Sequence, residues 1–247
     1  MLVYCGVSAL AKYPLPPGLK EALFLSRPNR FTAVVEVDGQ RDLAHVPSSG
    51  RMAGLLVPGT RVYLSRREAR GGKTAWRLVL AEQGGLLVSV DAGLPNRLIK
   101  TALEARVLEP FSAYTAVRPE CRFAAERFDF CLEGPPGRCL VEVKSVTLVR
   151  EGLALFPDAP TARGARHLAG LARAASRGYR AAVLFVVQRE DARAFAPHAV
   201  EDPAFARALK AAAFAGVEVR AYRCRITLKE VALSGEIPVI LGKKNPP

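Results

Sequence analysis

The chain has 247 residues, half of them hydrophobic, with 36 Lys and Arg against 23 Asp and Glu for a net charge of +13. That length buries a sizeable core in one large domain or two smaller ones, while no apolar run reaches the roughly 18 residues of a membrane span. Residues 1–11 lack the basic start of a signal peptide, so a cytoplasmic protein with no membrane partner is expected.

Residues 1–30 are broken by Pro14, Pro16, Pro17, Gly18 and Pro28 and read as an irregular lead-in. From Arg30 the pattern turns into short alternating segments at 31–37, 41–46, 62–64, 75–81 and 86–90, with a turn at Asp38-Gly39 and a helix-compatible insert at 52–56. Five short strands with one such insert outline a small barrel of the OB type; a β domain with only a packing role is the alternative. A groove for single-stranded nucleic acid shows as exposed rings interleaved with basic residues. Phe31 follows Arg30, Tyr63 lies near Arg61, Arg66 and Arg67, and Trp76 lies between Lys73 and Arg77, so these are the candidates for that face. A ring packed into the core is the alternative for each.

After Asp91-Ala92-Gly93 the pattern changes, and 96–108 reads as a helix with Leu98, Ala102, Ala105 and Leu108 near one face. The expected division is therefore a lead-in and OB-like nucleic-acid-binding domain over 1–92 and an α/β domain over 93–247. In the second part, 164–176 reads as a helix with Leu168, Leu171 and Ala175 inward and Arg163, Arg166, Arg173 and Arg177 outward. The run Ala181-Ala182-Val183-Leu184-Phe185-Val186-Val187 reads as a strand buried on both faces. A helix over 203–215, a strand over 217–222, an edge strand at 237–241 and a loose tail complete an α+β two-domain chain whose second domain is α/β with a mixed sheet.

Basic residues outnumber acidic ones twelve to six before Gly84 and 24 to 17 after it, so the excess belongs to the folded body and points to a polyanionic partner. Cys5, Cys121, Cys131, Cys139 and Cys224 form no C-x-x-C pair, and His45, His167 and His198 are scattered, which argues against zinc. Cys131 and Cys139 flank one turn; they either face each other across it or, as a reducing compartment favours, are small buried thiols.

That turn, 134–137, lies inside the stretch richest in chemistry. With a period of two, Phe128 and Phe130 of Arg127-Phe128-Asp129-Phe130 point to one side and Asp129 to the other. In Leu140-Val141-Glu142-Val143-Lys144-Ser145-Val146-Thr147, Glu142 and Lys144 share a face opposite Val141 and Val143. If the two segments pair, Asp129, Glu142 and Lys144 converge: two hard oxygen donors for Mg2+ or Mn2+ and a cation for the phosphate. An E-x-K pair on a strand is more commonly a solvated ion pair, but an aspartate among phenylalanines has no such explanation.

Those two words, together with Arg27-Pro28-Asn29-Arg30-Phe31, Phe156-Pro157-Asp158-Ala159, Thr161, Arg163-Gly164, His167-Leu168 and Ile237-Pro238-Val239, resemble the sugar fermentation stimulation protein A family along nearly the whole chain after the lead-in. The resemblance implies an OB-like domain followed by a restriction-endonuclease-like domain of the PD-(D/E)XK type, DNA binding, and a regulatory role in sugar metabolism. It also places Asp129, Glu142 and Lys144 on that fold's metal-dependent nuclease signature. The family often has proline where this chain has Phe128, and tends to carry an acidic residue where it has Thr101; Glu104 and Glu120 are then the candidates for a further metal ligand. It also tends to have valine and lysine where this chain has Pro160 and Arg166.

In the 156–167 segment, Asp158 or Thr161 caps the following helix, Arg163 and Arg166 suit phosphates, and His167 lies within reach of a bound phosphate. The alternative for His167 is a packed, satisfied histidine. The expected function is DNA binding, without sequence preference because no helix-turn-helix is present, by a protein with a Mg2+-dependent phosphodiesterase site. A DNA-binding regulator without turnover and an RNA-directed nuclease or RNA-binding protein are the alternatives; oligomeric state is not legible.

Overall fold

The computed structural model describes residues 9–67 and 74–242. Cys5, Lys73 and residues 243–247 of the tail lie outside them. The first part contains β1 (Ala11–Pro14), β2 (Lys20–Asn29), β3 (Thr32–Val37), β4 (Gln40–His45), β5 (Arg61–Arg66), β6 (Trp76–Gln83) and β7 (Leu86–Ser89). Strand order is β4-β3-β2-β5-β6-β7, and a parallel pairing of Ala44 with Trp76 and His45 with Arg77 joins β4 to β6, closing a five-stranded OB barrel from β2 to β6.

The sequence reading missed β2 and counted 86–90 in its place. Ala22 and Phe24 alternate into the barrel core, but the prolines on either side hide that pattern. Residues 52–56 form turns rather than a helix: Met52 sits at φ +48°, a left-handed conformation that a helix cannot continue through.

The second part contains α1 (Leu94–Glu104), β8 (Ala116–Phe123), β9 (Glu126–Gly134), β10 (Gly137–Val146), β11 (Leu148–Arg150), β12 (Leu153–Phe156), α2 (Ala162–Ala175), β13 (Arg180–Val187), β14 (Ala194–Pro197), α3 (Pro203–Phe214), β15 (Glu218–Ile226) and β16 (Glu230–Ile237). A seven-stranded mixed sheet runs β1-β16-β15-β13-β10-β9-β8, with β10, β13 and β15 parallel. Part of the lead-in is thus an edge strand of this sheet, since Ala11–Pro14 pairs antiparallel with β16. The expected edge strand at 237–241 is not one: Ile237 ends β16, an interior strand, and Val239 makes only an isolated bridge to Phe195.

The run in β13 is buried on both faces because each face has its own cover. Ala181, Val183, Phe185 and Val187 pack under α2 and α3, whereas Ala182, Leu184 and Val186 pack with α1 and with Tyr63, Val79 and Leu80 of the barrel. The barrel and α1 therefore share one core with the sheet. Polar contacts add to this junction: Gln188 Nε2 donates to the Asp91 carbonyl and to Ser145 Oγ, and Asp158 Oδ2 accepts from the Met52 N–H at 2.9 Å. Cys131 and Cys139 do not face each other; they belong to the cores on opposite sides of the sheet, and burial pushes both thiols up to about 12. Among the described residues no helix is long and apolar enough to cross a membrane.

Candidate active site

Between β8 and β9 the register is regular except that Glu120, at φ +56°, and Asp129 do not pair. This irregularity overturns the simple alternation expected for β9. Phe128 packs on the α2 side, its ring 6.0 Å from that of His167, while Phe130 packs on the α1 side. The β9–β10 ladder also ends at Phe130–Val141, so Asp129 takes over as a side-chain partner: its Oδ2 accepts the Val143 N–H at 2.7 Å. Its Oδ1 accepts from Asn96 Nδ2 of α1, also at 2.7 Å.

β10 keeps its alternation. Val141 and Val143 face the α1 side, and Glu142 and Lys144 occupy the other face, between Leu140 and Val146. Glu142 is only 4 % exposed, and its Oε1 receives both Lys144 Nζ and His167 Nδ1 at 2.5 Å. His167 is reached from the exposed side by Arg163, whose Nε donates to Nε2 at 3.3 Å, and Glu126 Oε2 lies 3.7 Å from the same nitrogen. The tautomer with its proton on Nδ1 satisfies both hydrogen bonds. α2 comes this close to β9 because residue 170 is glycine, where a Cβ would lie 3.0 Å from Phe128 Cζ; Gly164 likewise makes room for Phe205 of α3, which a Cβ there would meet at 3.1 Å.

Burial, and then the charge of Glu142, push the Asp129 carboxyl above the usual aspartate value. Burial also disfavours ionised Glu142, but the His167 hydrogen bond and the Lys144 charge outweigh it and hold that carboxyl below the usual glutamate value. Glu142 Oε2 is buried and has no hydrogen-bond partner among the described residues. An unpartnered carboxylate oxygen beside a second, destabilised carboxylate fits a hard divalent cation, whose charge would relieve both. Among the described residues no three His, Cys, Asp or Glu side chains are grouped to hold a metal. A cation between Asp129 and Glu142 would therefore have two carboxylate donors, and Mg2+ takes few protein ligands.

The structure separates the other candidates. Glu104 is exposed beside Lys100 at 3.7 Å, and Glu120 is exposed beside Arg127 at 3.3 Å, so each is paired on the surface rather than turned to Asp129 and Glu142. Thr101 is exposed as well. Tyr63 is not a stacking platform, since its ring lies in the shared core and its hydroxyl donates to Glu82. Arg61 is occupied by Glu21 and Glu82. Trp76 is partly buried against the barrel core; Arg66 lies over its ring at 5.3 Å and its Nε1 donates to Asp42. Arg67 donates to Thr74 Oγ1, and Arg30, Arg163 and Arg166 are exposed. His167 is 4 % exposed, so it meets Glu142 rather than a phosphate. Thr161 caps α2 by accepting from the Gly164 N–H, leaving Asp158 to the barrel.

Asn96 and Glu126 were not anticipated. A polar residue three and seven positions before the buried Ile99 and Leu103 on one helix face was the available signal for Asn96.

Comparison with known proteins bears on the whole arrangement. Residues 25–90 match the model of the SfsA N-terminal OB domain, and residues 93–230 match that of the sugar fermentation stimulation protein RE domain. The sugar fermentation stimulation protein homolog of Moorella thermoacetica is 52 % identical over 231 residues, covering 92 % of this chain and 99 % of that one. The homolog of Desulforamulus reducens is 49 % identical over 225 residues, covering 91 % and 94 %. The structure of Pyrococcus furiosus SfsA in complex with Ca2+ superimposes with a TM-score of 0.85 at 30 % identity, covering 92 % of this chain and 98 % of that one. With both domains matched and relatives aligned over almost their full length, the chain belongs to the sugar fermentation stimulation protein family.

Proposed function

We propose that this chain is a divalent-cation-dependent phosphodiesterase acting on nucleic acid, which it holds through phosphates without reading sequence. The observation that carries the reading is the buried, unpartnered Oε2 of Glu142 beside Asp129. Support also comes from the related Pyrococcus furiosus protein, described in complex with Ca2+. Asp129 and Glu142 would hold Mg2+ or Mn2+. Such an ion supplies charge neutralisation at the phosphate and a bound water acidic enough to attack near pH 7.

The chain's own side chains do the positioning. Asn96 and the Val143 N–H fix both oxygens of Asp129, while His167 and Lys144 fix one oxygen of Glu142 and leave the other free. Lys144, 13 % exposed, brings a cation to the place where phosphate charge develops. The exposed Arg163, at the start of α2, offers a second cation on the side open to substrate.

The test is a panel of single-stranded and duplex DNA and RNA with Mg2+ or Mn2+. Cleavage is expected with at least one substrate, abolished in Asp129→Ala, Glu142→Ala and Lys144→Ala while binding persists. Binding should weaken steeply with salt. Tight, salt-dependent binding with no cleavage of any substrate would replace this reading with that of a DNA-binding regulator lacking turnover. Selective cleavage of RNA would redirect it to RNA.

A further inference from the structure

Phe31 is 51 % exposed on the turn between β2 and β3, yet the turn is held firmly. The Arg27 guanidinium donates to the carbonyl oxygens of Arg30, Ser48, Gly50 and Arg51, and Asn29 Oδ1 accepts the Phe31 N–H at 2.9 Å. The Phe31 ring stacks on His45, with centroids 6.5 Å apart and planes inclined by 21°. His45 Nδ1 lies 3.2 Å from the Phe31 carbonyl oxygen, tying the two residues together. Burial, then the positive charges of Arg67 and Arg77, hold His45 below the ordinary histidine value, so it backs Phe31 as a neutral ring near pH 7.

An aromatic face kept in water on a rigid turn, with guanidinium groups at its side, has the two elements of single-strand binding: a base-stacking surface and cations for the backbone. Contacts lead from it to the metal site. His45 pairs across the strands with Arg77; Arg77 donates to Asp91 at 2.8 Å; Asp91 also holds Arg97 at 2.5 Å. Next to Arg97 on α1 is Asn96, bonded to Asp129. Two guanidinium groups share the one Asp91 carboxylate, which leaves a net positive charge midway, and both side chains are partly exposed, Arg77 at 38 % and Arg97 at 40 %.

We infer that Phe31 and His45 form a stacking platform for an unpaired nucleobase, and that Arg77 and Arg97 guide the same strand to Asp129 and Glu142. The substrate class is thus single-stranded nucleic acid. A duplex keeps its bases stacked on one another and cannot offer a face to Phe31. The inference rests on the phosphodiesterase reading for the strand's destination, but not for the platform.

The platform is tested by fluorescence anisotropy of the full chain in EDTA, with labelled oligothymidylate, an abasic strand of equal length and a duplex of equal length. Oligothymidylate should bind more tightly than either of the others. Phe31→Leu should weaken it roughly tenfold or more, since stacking of one base is lost, and should leave the abasic strand unaffected. Phe31→Trp should restore it. Because the ring is exposed, the thermal midpoint of Phe31→Leu should match that of the wild type. Equal loss on the abasic strand, no loss in Phe31→Leu, or tighter binding of the duplex would each overturn the inference. In EDTA the result stands whether or not the chain cleaves, whereas the metal panel reads cleavage alone, so the two failures are distinct.

Discussion

His167 offers a way to measure how the buried carboxylate is held. His167→Ala deletes the Nδ1 donor to Glu142 and also leaves a cavity beside Phe128. His167→Asn removes the rest of the ring but keeps a short amide that does not titrate, with an N–H donor near the place of Nδ1. The difference between the two variants therefore reads mainly the hydrogen bond to the Glu142 carboxylate. A hydrogen bond to a charged group contributes about 1.5–3 kcal/mol, so Asn should be more stable than Ala by about that much at pH 7. In a chain of this size that corresponds to a thermal midpoint roughly 3–12 °C higher. The pH dependence has a definite sign. The Glu142 carboxyl is held below its ordinary value of 4.5, so the stability from its ionisation is present above 4.5 and lost as pH falls through the folded value. The Asn–Ala gap should therefore shrink in acid. Urea unfolding of both variants in EDTA, at pH 7 and near pH 3, checks this. Equal stabilities at pH 7, or a gap undiminished in acid, would refute the assignment of His167 as the residue that holds Glu142.

Asp129→Asn should make the metal-free protein more stable at pH 7 while abolishing Mn2+ binding by calorimetry. Because the folded carboxyl titrates above its ordinary value of 3.8, ionised Asp129 opposes folding, and wild-type stability falls as pH rises from 3.8 through the folded value; the amide escapes that loss. Gly164→Ala should destabilise by up to about 2 kcal/mol in urea unfolding, because overpacking against Thr161 and Phe205 outweighs the gain in helix propensity. Asp158→Ala should cost about 1 kcal/mol and speed hydrogen exchange at the Met52 amide, which loses its acceptor across the domain junction.

What the sequence displayed of this site follows from where the strands are regular. In β10 every residue from Gly137 to Val141 pairs with β9, and the whole strand from Cys139 pairs with β13, so a period of two is enough to put Glu142 and Lys144 on one face. In β9 the same rule fails at Asp129, because Glu120 leaves the extended region and the pair is skipped, sending Phe128 and Phe130 to opposite cores. Tyr63 shows a different limit. Its basic neighbours made it look like a stacking residue, but its burial depends on a helix and a sheet more than thirty residues further along the chain. Strand β2 was hidden by Pro14, Pro16 and Pro17 before it and Pro28 within it, and the closure of the barrel by β4 and β6 is a long-range pairing with no local signature. Helices α2 and α3 were plain because their buried stripes are local and their caps, Thr161 and Asp202, are side chains of the chain's own turns; α1 ends at Glu104 rather than at 108, because Arg106 at φ +56° breaks it, so Ala105 and Leu108 are not on its face.

The local rules break together, and they break at one place. Asp129 is a strand-avoiding residue where a ladder pair is missing, it carries a carboxyl that burial and Glu142 both disfavour in ionised form, and its neighbour Glu142 leaves a buried oxygen unpartnered. A sheet selected only for stability would remove all three, for instance with a valine at 129 and a neutral residue at 142. Instead the chain surrounds the conflict with dedicated supports: Asn96 and the Val143 N–H on one carboxylate, His167 and Lys144 on one oxygen of the other. Destabilising groups held in fixed positions are the mark of a site kept for a ligand rather than for folding. That argument needs no knowledge of substrate, and it is the ground for proposing a divalent cation here: such an ion is bound by carboxylate oxygens more strongly than an ammonium is, so it would relieve both carboxylates without displacing Lys144.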